Sequence, residues 1–143
     1  MDVKQALTIY AVVLGAIHAS YLGQGFLGTA QIAYGALTVM ALMISATFLW
    51  LWAMRMSPLS LGMAFSWAGA AVVMGWWWLF TLLGAPLWMQ RSELLLGLLA
   101  LFMTGAVLHF DVLETSLGYR RGSFLLPVAG ALTVSVLLLV LVG

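Results

Sequence analysis

Three ionisable side chains lie close together in the segment His109-Phe110-Asp111-Val112-Leu113-Glu114, in a chain of which only 6% of residues are charged. Asp111 and Glu114 are three residues apart, so on a helix they project from one face and can share a cation, a proton or an arginine. His109 lies about 140° around the same helix from Glu114. This pattern indicates proton or cation handling by two carboxylates, not a three-ligand metal site.

Both acids also have a structural interpretation. Counting back along a helix from Arg120, Glu114 lies ~9 Å and Asp111 ~13 Å from the basic residues. Glu114 can therefore reach lipid headgroups or pair with Arg55, Arg120 or Arg121. A carboxylate at the depth of Asp111 costs about 2 to 3 kcal/mol on insertion scales, so we expect it to face the interior of a bundle or a hydrated cavity.

His18 and His109 are the candidate cofactor ligands. Counted from Lys4 and Arg120, the two imidazoles lie within about 5 Å of each other in depth, which is the arrangement that two axial ligands of haem b require. Each is equally compatible with binding a pigment or a metal, or with a hydrogen bond inside a helix bundle. One face of the first apolar segment carries Tyr10, Leu14, His18 and Tyr21. These side chains could line a cofactor pocket.

A polar stripe runs along the second apolar segment, where Gln31, Thr38 and Ser45 recur every seven residues. Heptad spacing keeps them on nearly one helix face. They either form interhelical hydrogen bonds or line a hydrated path towards Asp111 and Glu114.

Composition places these residues in a membrane protein. The chain has 143 residues, is 65% hydrophobic and has a mean hydropathy of +1.16, and no Asp, Glu, Lys or Arg lies between Lys4 and Arg55. A net charge of +1 gives no basis for a nucleic-acid partner. Cysteine is absent, and we find no catalytic motif, so we assign no catalytic or metal residue and do not expect an enzyme on its own.

We predict an all-α integral membrane protein, a single domain over residues 1–143 with five transmembrane helices. Glycine, proline and N-cap signals separate the spans at Gly23-Gln24-Gly25, Ser57-Pro58, Gly84-Ala85-Pro86, Ser92-Glu93 and Gly118. The spans run at about 5–22, 30–54, 58–83, 92–117 and 123–142. Arg91 alone falls on one side of this threading, and the other side carries Lys4, Arg55, Arg120 and Arg121. The positive-inside rule then makes the amino terminus cytoplasmic and the carboxyl terminus external, in a bacterial inner membrane.

Partners beyond the lipid bilayer are indicated by small residues at four-residue spacing, which let helices approach closely within one chain or between subunits. The pairs are Gly15 and Ala19, Ser66 and Ala70, Ala71 and Gly75, and Ala131 and Ser135.

Our leading hypothesis is a small subunit of a larger redox or energy-transducing membrane complex, in contact with haem b or a pigment through His18 and His109. One alternative is a homo-oligomeric proton or small-cation channel or transporter that uses Asp111 and Glu114. The other is a non-catalytic scaffold or assembly factor.

Overall fold

The computed structural model describes residues 2–118, 122–123 and 125–142, with only the backbone at 113, 115 and 117, and over these residues the predicted all-α class is confirmed. The helices are α1 (Val3–Arg55), α2 (Pro58–Leu82), α3 (Leu87–Gln90), α4 (Glu93–Leu117) and α5 (Leu125–Val142). Four of them, all except α3, are long and apolar enough to cross a membrane. Arg120 and Arg121, which enter the predicted charge asymmetry, lie outside the described residues.

Helix α1 contains both of the first two predicted spans in one element of 53 residues. Helical geometry is lost at Gly25, whose φ of 74° and ψ of −176° are accessible to glycine and strained for other residues. The hydroxyl of Thr29 donates to the hydroxyl of Ser20 at 3.1 Å, whereas nine residues of unbroken helix would separate them by about 13 Å. Gly25 is therefore a hinge at which the first arm (residues 3–24) folds back beside the second arm (residues 26–55).

The packed core consists of the second arm, α2 and α4, with α2 in the middle. Small residues bring these helices together: Gly35 lies under the indole of Trp78, and Gly75 lies against the methyl group of Thr38. Ala41, Ala64 and Ala71 are among the most buried side chains of the core. Close approach through glycine and alanine is the usual way in which membrane helices gain packing energy, because lipid provides no hydrophobic drive between them.

The periphery consists of the first arm and α5, which bury almost nothing. Every residue from 3 to 19 is exposed, and no residue of α5 is buried. Both elements are nevertheless strongly apolar. The chain thus divides into a packed three-helix core and two apolar helical segments beside it.

Local signals set most helix ends. Ser92 caps α4 by accepting a hydrogen bond from the Leu94 N–H at 3.3 Å, and Gly118, with a φ of 68°, ends it. Pro58 begins α2 as predicted, but the preceding Ser57 makes no side-chain cap bond. The short α3 was not predicted, and α5 begins at Leu125 instead of residue 123.

Candidate functional site

Helices α2 and α4 cross in close contact beside His109, a predicted functional residue. A Cβ on Gly105 would approach the Ser66 backbone N to 2.5 Å and its Cα to 2.6 Å. One turn or so earlier on α4, a Cβ on Gly69 of α2 would collide with the backbone of Phe102. Since backbone atoms cannot move aside, these two glycines fix the distance between the helices.

His109 lies half-buried in this crossing. Its Nδ1 is 3.0 Å from the Gly105 carbonyl oxygen and 3.1 Å from Ser66 Oγ, and its Nε2 is 2.8 Å from Met63 Sδ. A carbonyl oxygen can only accept, so we assign the Nδ1 proton to Gly105. The imidazole is thus held in one orientation by both helices, and Met63 covers its second nitrogen.

His18 has quite different surroundings. It lies exposed on the first arm, with its ring centroid 6.4 Å from that of Tyr21 and the two planes tilted by 30°. The cavity that it lines is formed by residues of α1 alone. The two imidazoles therefore have separate neighbours, and a haem shared between them would first require Met63 to leave His109 Nε2.

The two carboxylates of α4 differ in exposure. Asp111 is exposed. Glu114 is buried, with 8% of its surface accessible, and its Oε1 accepts a hydrogen bond from the Gly122 N–H at 2.7 Å. Glu114 thereby ties the end of α4 to the start of the connection to α5, a structural task that needs an oxygen acceptor at this position.

The polar stripe of the second arm lies in the core. Thr38 is buried and donates to the Tyr34 carbonyl at 2.8 Å in its own helix. Ser45 donates across to the Ala64 carbonyl of α2, also at 2.8 Å. Gln31 is half-buried. Two of the three predicted residues therefore donate their hydroxyl hydrogen bonds to backbone carbonyl oxygens. The bond from Thr38 stays within its helix, and the bond from Ser45 joins two helices.

A pair of clefts in the α1 hairpin was not predicted. Ile17, Thr29 and Ala33 line both clefts, and the Ser20–Thr29 hydrogen bond lies at their junction. The first, which we call the ring cleft, has a volume of about 300 Å³ and is lined also by His18, Tyr21, Phe26 and Ala30. The second, which we call the chain cleft, has a volume of about 320 Å³ and is lined also by Ala16, Ile32, Ala36, Leu37 and Met40.

The alanines explain why these clefts exist. Ala16, Ala33 and Ala36 fill too little of the space between the two arms, which larger side chains would have closed. The sequence does carry a signal for this, because alanines recur on the faces that flank the Gly25 hinge. That signal becomes interpretable only once the two arms are known to fold back on each other.

No group of three or more His, Asp or Glu side chains that could hold a metal ion occurs in the part of the chain that the structure describes. Comparison with protein-family models, with curated protein sequences and with solved structures finds no match to this chain. Function must therefore be argued from the residues and their geometry.

Proposed function

We propose that this chain is a small multi-pass subunit of a larger redox or energy-transducing membrane complex. In this proposal it crosses a bacterial-type inner membrane five times, twice through α1, with its amino terminus in the cytoplasm. The first arm and α5 then provide the contacts to neighbouring subunits.

The observation that carries the proposal is that the first arm and α5, which bury almost nothing among the described residues, both carry small-residue faces. Among the described residues, no atom outside the helix's own adjacent backbone lies within 4 Å of a Cβ built on Gly15 of the first arm or on Gly130 of α5. The pairs Gly15 with Ala19 and Ala131 with Ser135 remain exposed. A helix that meets only lipid needs no such face, because small residues serve the close approach of another helix.

Helix α5 differs from α2 in how much of it is buried. No residue of α5 is buried, whereas five residues of α2 are buried: Gly62, Ala64, Gly69, Ala71 and Gly75. Ser135 donates to the Ala131 carbonyl at 2.9 Å, so its hydroxyl is already satisfied within the helix. The face is therefore suited to dry helix–helix packing.

Two further features support a subunit over a channel or an enzyme. The hydroxyl groups of Thr38 and Ser45 donate to carbonyl oxygens within the core, which favours packing over a hydrated path. The described connections between helices are short, at residues 56–57, 83–86 and 91–92. Such connections offer little surface for recognising a soluble substrate.

The experiment is to extract the tagged chain from its native membrane in a mild detergent and to measure the mass of the complex and its other subunits. We expect an assembly much larger than 15.4 kDa that contains other membrane proteins. Ala131→Trp should release the chain from it, because the indole prevents close approach. A stable colourless homo-oligomer without other subunits would contradict the proposal.

The matched control is Ala129→Trp, the same substitution two residues earlier and about 160° around the helix. It should leave the assembly intact. Both variants should keep the helicity and thermal stability of the isolated chain, because no residue of α5 is buried against the rest of that chain. If both variants lose the assembly equally, the face of α5 that carries Ala131 is not the one that contacts the neighbouring subunit.

A further inference from the structure

The two clefts of the α1 hairpin differ in the chemistry of their walls. The ring cleft has three ring side chains on its wall, His18, Tyr21 and Phe26. The chain cleft is lined almost entirely by aliphatic side chains. Because Ile17, Thr29 and Ala33 line both, the two clefts adjoin, and an elongated molecule that passes these residues would occupy both.

The ring cleft selects for a neutral, flat group with hydrogen-bond acceptors. The imidazole of His18 and the phenol of Tyr21 can each donate one hydrogen bond. No Asp, Glu, Lys or Arg lies between Lys4 and Arg55, so the walls of the two clefts offer no lysine or arginine to neutralise a phosphate or a carboxylate. Phospholipid headgroups and fatty-acid carboxylates are therefore poor matches, and a ring that bears carbonyl oxygens is a good one.

The chain cleft accepts the remainder of such a molecule. Its volume of about 320 Å³ is at the lower end of the usual range for small-molecule sites. Its wall includes Leu37 and Met40 on the second arm and Ala16 on the first. An unsubstituted or isoprenoid chain would fill this space without requiring any polar partner.

We propose that the α1 hairpin binds a lipid-soluble quinone. Its ring carbonyl oxygens accept hydrogen bonds from His18 and Tyr21 in the ring cleft, and its apolar chain passes Ala33 into the chain cleft. His18 and Tyr21 are exposed, so the quinone enters sideways from the surrounding lipid. This inference rests on the membrane setting of the proposed function, but it does not require the contacts to other subunits.

The test uses the purified full chain in lipid nanodiscs and measures the binding of decylubiquinone by equilibrium partition. We expect saturable binding of one molecule per chain. Ala33→Trp should abolish it, because Ala33 lines both clefts and an indole there fills their junction. The matched control, Ala129→Trp on α5, should bind decylubiquinone as the unsubstituted chain does. Binding that survives Ala33→Trp would overturn the proposal.

A second pair of variants tests the ring cleft without filling it. His18→Phe and Tyr21→Phe keep a ring at each position and remove its donor, so each should weaken decylubiquinone binding about three- to tenfold. Neither should change the binding of dodecane, which has a chain but no carbonyl groups. If dodecane displaces decylubiquinone with equal affinity, the clefts hold only lipid chains and the quinone assignment is wrong.

Photolabelling covers the case in which Ala33→Trp fails to fold. An azidoquinone should label peptides from residues 13–40 of the unsubstituted chain and spare α5. Labelling confined to other helices would overturn the proposal. Loss of quinone binding with the larger complex intact would reject this inference alone, and loss of the complex with quinone binding intact would reject only the subunit proposal.

Discussion

The core and the periphery of this chain both consist of apolar helices, yet they use their small residues differently. In the core, Gly69 and Gly105 touch the backbone of the facing helix. In the periphery, Gly15 and Gly130 have open space where a side chain would be. The same residue type therefore closes a contact in one region and leaves a surface available in the other.

Polar side chains show the same contrast. Ser45 in the core donates to a carbonyl of the neighbouring helix, and Ser135 in α5 donates to a carbonyl of its own helix. His109 in the core is held by both α2 and α4, whereas His18 on the first arm lies beside a cleft. We therefore assign the stability of the fold to the core, and the proposed contacts with partners and ligands to the periphery.

The largest effect should come from enlarging a glycine of the core. Gly105→Leu forces α2 and α4 apart at Ser66 and should cost about 3 kcal/mol or more, the upper end of the usual range for overpacking. Gly97→Leu in the same helix meets open space and should leave stability nearly unchanged. Unfolding in sodium dodecyl sulfate, followed by circular dichroism, measures both. Equal destabilisation would remove the distinction between core and periphery.

The hinge between the two regions should give a smaller effect. Gly25→Ala places a side chain at a φ of 74° and a ψ of −176°, a region accessible almost only to glycine, which should cost about 1 to 3 kcal/mol. Gly23→Ala, two residues away in regular helix with open space around it, should be neutral or slightly stabilising. The same unfolding titration compares them. A neutral Gly25→Ala would mean that α1 does not bend there.

The smallest effect should come from a hydroxyl of the core. Ser45→Ala removes the hydrogen bond to the Ala64 carbonyl and should cost about 0.6 kcal/mol, since interhelical hydrogen bonds in membranes average that value. Ser135→Ala removes a bond within the exposed α5 and should change stability less. If the order of the two were reversed, α5 would have to be packed more tightly than the second arm.

The sequence predicted those features that depend on neighbouring residues. The starts of α2 at Pro58 and α4 at Glu93, and the end of α4 at Gly118, follow from proline, capping and glycine signals a few residues away. A break after residue 22 was also predicted, from the glycines at 23 and 25, but the expected connection over residues 23–29 is helical except for the non-helical backbone of Gly25. The four-residue α3 was not, since a segment this short has no periodicity to detect.

Contacts between distant residues were beyond prediction. His109 was identified as a candidate ligand, but its partners Met63 and Ser66 are more than 40 residues away in the chain. Glu114 was expected to meet headgroups or an arginine, and its contact with the Gly122 N–H depends on the turn that follows α4. The clefts could not be predicted from the sequence, because an empty volume depends on how two helices are placed. Composition and periodicity do not specify that placement.

Five crossings of the membrane require that α1 crosses twice and bends at Gly25. Because the chain has no cysteine, single cysteines at Asp2, Gln24, Ser57 and Gln90 can be labelled with a membrane-impermeant maleimide in intact cells. We predict that Gln24→Cys and Gln90→Cys react from outside, and that Asp2→Cys and Ser57→Cys react only after the membrane is opened. Labelling of Asp2→Cys and Ser57→Cys from opposite faces would show that α1 crosses once, which would contradict the five-crossing topology.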